Sequence, residues 1–77
     1  MARIEETRLK KLNKEKYFIH ETVQATYSVF DKEGERFFQI DTYGKDNREM
    51  PEKISQSIQI DKNMALKLIK LLQEAFK

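Results

Sequence analysis

Few side chains here could act on a covalent bond. His20 is the only histidine and there is no cysteine. A lone histidine between Ile19 and Glu21 in an alternating stretch is ordinarily a surface or hydrogen-bonded residue. Ser55 and Ser57 have no base beside them in the sequence, so neither is set up as a nucleophile. Asp41, Asp46, Glu49 and Glu52 gather around one polar stretch, but their spacing is not that of a calcium-binding loop. With two glycines in all, there is no dinucleotide fingerprint, phosphate loop or nucleophile elbow. The residues therefore predict a non-enzymatic protein with no cofactor, no metal site and no catalytic residue.

Non-covalent chemistry is better represented. The stretch Ile54-Ser-Gln-Ser-Ile-Gln-Ile60 alternates, with Ile54, Ile58 and Ile60 on one side and Ser55, Ser57 and Gln59 on the other. Two further stretches alternate in the same way. Their polar sides offer Thr22, Gln24, Thr26 and Ser28, then Phe37, Gln39, Asp41 and Tyr43. Charged residues are 36% of the chain, yet this composite face carries almost none. Exposed strands commonly use Lys or Glu to discourage edge association. A neutral face suits two uses. Phe37 and Tyr43 can stack on unpaired bases while Thr26, Gln39, Ser55, Ser57 and Gln59 bond base edges or phosphates. Arg36, Lys45, Arg48 and Lys53, near the strand ends, would add phosphate contacts. The same groups also desolvate cheaply, as the core of a protein interface requires. A third reading is a solvated face chosen for β-propensity alone.

The elements that must position this face follow from periodicity. Period two runs from Tyr17 to Phe30, long enough to predict a bend near His20-Glu21-Thr22. The polar loop 31–35, with Gly34 available for a left-handed conformation, predicts a β-hairpin into a second strand over Arg36–Tyr43. A loop over 44–53 leads to the third strand, Ile54–Ile60. Asp61 is a good N-cap for a helix from about Lys62 to Phe76. That helix has an apolar arc of roughly 160°, wider than the ~100° stripe one sheet requires. The surplus predicts a second apolar neighbour, either the N-terminal segment or the same helix in a partner. Leu66, Ile69, Leu72 and Phe76 are the candidate dimer residues. The fold class is α+β: an antiparallel three- to four-stranded meander with a C-terminal amphipathic helix on one face.

Charge divides the chain. Residues 1–16 hold six bases (Arg3, Arg8, Lys10, Lys11, Lys14, Lys16) against three acids (Glu5, Glu6, Glu15), while the whole chain is only +2. The first 16 residues thus read as a basic arm or short helix, and 17–77 as one α+β domain. Basic arms bind nucleic-acid phosphates or simply solubilise. A chain this short, without disulfides, needs a compact core or help from oligomerisation. No apolar run reaches membrane-span length and no signal-peptide pattern is present, which fits a cytoplasmic protein that does not bind membranes.

The region from about Thr26 to Phe76 resembles a known family. A strand hairpin, then "FFQIDTYG", a polar loop, "ISQSIQID" and the helix "MALKLIKLLQEAF" are similar in layout to the single-stranded-DNA-binding transcriptional coactivators of the positive-cofactor-four type and their small bacterial relatives. The resemblance implies a homodimer joined through the C-terminal helix, with single strands bound across the sheet. The chain also resembles small proteins of phages and bacterial mobile elements. That context implies either support of replication and recombination or inhibition of a host protein.

Overall fold

The computed structural model describes residues 1–44 and 53–77. Its centre is a hairpin of β2 (Ala25–Lys32) and β3 (Glu35–Tyr43). The two strands pair without a register shift from Ala25 opposite Thr42 to Lys32 opposite Glu35. Only Glu33 and Gly34 lie between them. Both have positive φ, 53° and 80°, the requirement of a type I′ turn, whose twist matches that of the strands. Gly34 meets this without cost, whereas Glu33 sits in the left-handed region that L side chains disfavour.

β4 (Ile54–Ile60) lies antiparallel on the other side of β3, with Ile40 opposite Ile58 and Gln39 opposite Gln59. The fourth strand departs from expectation. β1 (Ala2–Ile4) pairs parallel to β4, so the sheet order is β1-β4-β3-β2 and the sheet is mixed rather than purely antiparallel. Ala-Arg-Ile is too short to show periodicity, and its partner Ile58–Ile60 lies far along the chain. The next residues, Glu6–Arg8, form a 3₁₀ turn closed by Arg8 N–H donating to the Glu5 carbonyl. Residues 2–8 are thus part of the folded unit; they set Arg3 and Arg8 against Glu5 and Glu6, so the surplus bases of the first 16 residues are Lys10, Lys11, Lys14 and Lys16, beyond it.

The strand predicted from Tyr17 begins at Ala25 instead. The reason is a missing partner: β3 ends at Tyr43, whose N–H donates to the Gln24 carbonyl. Beyond that point the sheet offers residues 17–24 no neighbouring strand among the described residues, however well they alternate. The loop expected over 44–53 falls mainly outside the described residues, and with it Lys45 and Arg48.

α1 (Lys62–Ala75) starts where the sequence places it. Asp61 accepts from Met64 N–H at 2.9 Å, and Phe76 N–H closes the far end on the Leu72 carbonyl. This backbone donor, followed by Arg3, holds the Asp61 carboxyl below its ordinary pKa. The first turns pack down, with Met64 1% exposed and Ala65 and Leu68 half-buried. Lys67 Nζ ties the helix to the 3₁₀ turn by donating to the carbonyls of Glu6 (2.7 Å) and Leu9 (3.3 Å). The rest of the apolar arc is uncovered: Ile69, Leu71, Leu72 and Phe76 are exposed, as is Leu66 on the polar side of the helix. The helix therefore seats only its N-terminal half on the chain. Among the described residues, no helix is long and apolar enough to cross a membrane.

Candidate binding face of the sheet

The register brings most of the predicted polar residues together. Thr26, Asp41 and Ser57 form one row across three strands, and Ser28, Gln39 and Gln59 form the next. The side chains are linked. Gln59 Nε2 donates to Gln39 Oε1 (2.7 Å), and Gln39 Nε2 donates to Asp41 Oδ1 (2.8 Å). Ser57 Oγ donates to the same Asp41 oxygen. Asp41 and Ser57 are buried by these neighbours. A carboxylate out of water needs donors aimed at it, and Ser57 and Gln39 supply two. Among the described residues, no buried side-chain nitrogen or oxygen lacks a partner.

Tyr43 joins the same system, its hydroxyl sharing a 3.0 Å hydrogen bond with Thr26 Oγ1. Phe37 lies on this face but is only 9% exposed. It stacks on Phe30, directly opposite, with ring centroids 5.4 Å apart. Its outer side is covered by the Arg3 guanidinium, 4.9 Å from the ring centroid. Arg3 also pairs with Asp61 (3.4 Å) and, more distantly, Glu35 (3.9 Å). It therefore ties β1 to the hairpin and to the helix cap at once.

Three predicted contacts lie elsewhere. Ser55 is exposed and is the extra residue of a β-bulge, since Thr42 pairs with Gln56 and Tyr43 with Ile54. Arg36 stands opposite Asp31 at the turn end of the hairpin, on the apolar side by strand alternation. It forms a two-pronged pair with Asp31, Nε to Oδ1 at 2.9 Å and Nη2 to Oδ2 at 3.2 Å. That bond holds the Asp31 carboxyl below its ordinary pKa. Lys53 is exposed just before β4. Arg3, which by sequence belongs to the arm, is instead a central cation of the polar face. It borders a recess of about 320 Å³ with Met1, Ala2, Gln39, Ser57 and Gln59. No residue pattern marks it, because its position depends on a three-residue strand joining a distant partner.

No protein-family model, curated protein or solved structure matches the chain. What the face can do must therefore come from its own geometry. The one hydroxyl beside a carboxylate on it, Ser57 against Asp41, is buried within the network. The face offers a guanidinium, two amides and a hydroxyl around a shallow recess, with a tyrosine at one end.

The opposite face is apolar. Tyr27, Val29, Phe38, Ile40, Ile58 and Ile60 share it by register. Tyr27 stacks on Phe38 at 5.4 Å. Even so, Tyr27 is 71% exposed, and Val29, Ile40 and Ile58 are exposed as well.

Proposed function

We propose that this chain is a small non-enzymatic binding module that acts as a homodimer and engages single-stranded nucleic acid through the polar sheet face. The observation that carries the reading is the recess beside Arg3. There a cation adjoins Gln39, Ser57 and Gln59, the combination that reads base edges and phosphate together. Tyr43 supplies a ring at the other end of the face. Lys53 and the exposed arm lysines Lys10, Lys11, Lys14 and Lys16 supply phosphate contacts.

The dimer is supported by surface. The chain exposes 7556 Å², whereas a folded monomer of its mass exposes about 4,900 Å². Its radius of gyration is 14.8 Å, against about 11.5 Å for a compact domain of this length. The open side of the helix, Leu66, Ile69, Leu72 and Phe76, and the apolar sheet face are the surfaces a second copy would cover.

A fluorescein-labelled single strand titrated at several salt concentrations tests the reading. Affinity should fall steeply with salt, and Lys10→Ala with Lys11→Ala should flatten the logarithmic slope by about 0.7 for each phosphate no longer neutralised. No binding at low salt would overturn it. The open apolar face favours a second reading, a protein-binding module or inhibitor acting on a host protein. In that case one protein should be retained from nuclease-treated lysate by the wild type and lost with Tyr27→Ala.

A further inference from the structure

The two edges of the sheet are treated differently. The outer edge of β4 is covered by β1, whereas β2 has β3 on one side and, among the described residues, no strand on the other. Soluble proteins usually blunt such an edge with charge, proline or a bulge. Here the nine residues Thr22–Phe30 carry no formal charge and no proline, and the β2–β3 register runs unbroken. Immediately before β2, Tyr17–Gln24 form no strand, and Tyr17, Phe18 and Ile19 are exposed. Yet Tyr17, Ile19 and Val23 share the parity of Tyr27 and Val29. This segment cannot lie on its own β2 edge, because it runs directly into β2 with no turn between them.

From these features we propose that two copies pair antiparallel along this edge about a two-fold axis at Val23. Each copy's Tyr17–Thr22 then lies on the other copy's β2. The backbone fixes the parity of the pairing. The Gln24 carbonyl points to β3, so by alternation Ala25, Tyr27 and Val29 aim their N–H and carbonyl groups at the open edge. With Val23 on the axis, Tyr17 stands opposite Val29, Ile19 opposite Tyr27, and Glu21 opposite Ala25. Every outward-facing residue meets one of the same parity, and all the apolar side chains stay on the apolar face. A one-residue slip would turn them to the polar side. A two-residue slip in either direction removes Val23 from its own partner and sets Glu21 against Val23 or Tyr27, both larger apolar residues than the Ala25 it meets here. Pairing of this kind is isologous and closes at two copies. Each chain's surface exceeds that of a compact monomer by roughly 2,600 Å², about 5,200 Å² for two copies, near the upper end of what obligate homodimers bury. The pairing involves a second copy, as the helix-joined dimer does, but on a different surface.

The absence of cysteine makes single-thiol variants unambiguous. Val23→Cys should give a covalent dimer under mild oxidation, since directly opposed residues of an antiparallel pair lie within disulfide reach. A mixture of Ile19→Cys and Tyr27→Cys chains should give a heterodimer that neither gives alone. Glu33→Cys, in the turn, is the control for random collision. If Val23→Cys crosslinks no faster than Glu33→Cys, the pairing is overturned. Crosslinking through Phe76→Cys alone would also overturn it while leaving a helix-joined dimer standing. In the wild type, the amides of Tyr17–Gln24 should exchange more slowly as protein concentration rises. Fast exchange at every concentration overturns the proposal.

Discussion

The two faces of this sheet are finished to different degrees. The polar face is closed by its own bonds: Gln59, Gln39, Asp41 and Ser57 form one chain of donors and acceptors, and Arg3 seals Phe37 against Phe30. The apolar face is open, with Tyr27, Val29, Ile40 and Ile58 exposed and the helix covering little of it. A lone soluble domain buries its apolar face and leaves its polar face to water. The reversal teaches that this chain's own hydrogen bonds tie the polar side together, whereas much of its apolar side stays exposed.

Several substitutions put that contrast at risk. Met64 is the one fully buried side chain among the described residues and pins the helix to the sheet. Met64→Ala should cost about 2–5 kcal/mol in urea unfolding, enough to unfold much of the population. On the open side, Ile58→Asp should weaken self-association about 30-fold or more by light scattering, as loss of an interface hot spot does. Unchanged association would mean that the apolar face is not the interface. On the closed side, Asp41→Ala strands the Ser57 hydroxyl and the Gln39 amide and should cost about 1–3 kcal/mol. Asp41→Asn keeps an acceptor oxygen and should recover most of that loss. If both are neutral, the polar network is not what seals the face.

Acid tests the joint between the faces. Asp61 has a folded-state pKa below its ordinary value of 3.8. Its contribution is therefore fully present above about pH 4 and is lost as pH falls through the lower, folded value. Asp61→Asn should lower the melting temperature at neutral pH by a few degrees and flatten its decline below pH 4. The smallest effect lies off both faces. Glu33→Asn suits the left-handed turn position and should stabilise by about 0.5–1 kcal/mol, leaving association unchanged.

The sequence was most legible where pairing is local. Ile54–Ile60 and its helix cap stand where alternation and Asp61 put them, and the hairpin differs from expectation in its tighter turn and in a first strand that begins at Ala25 rather than Tyr17. The polar face was legible as a set of residues, because alternation alone decides which side chains share a side. Its internal closure was not, since neutral side chains that can bond a ligand can equally bond one another. Arg36 was misplaced for a simpler reason: as a neighbour of Phe37 it must face the other way.

What the sequence determined by itself is the periodicity of each element, its start and stop signals, and the uneven distribution of charge, all of which depend on residues near one another in the chain. Tertiary structure alone decided which strands found partners. Residues 17–24 alternate as well as any strand here, yet they stay outside the sheet because β3 ends at Tyr43. Residues 2–4 carry no periodic signal and are nonetheless inside it, because β4 presents a free edge. A β-strand takes its hydrogen bonds from a neighbour rather than from itself, so its existence depends on what lies beside it.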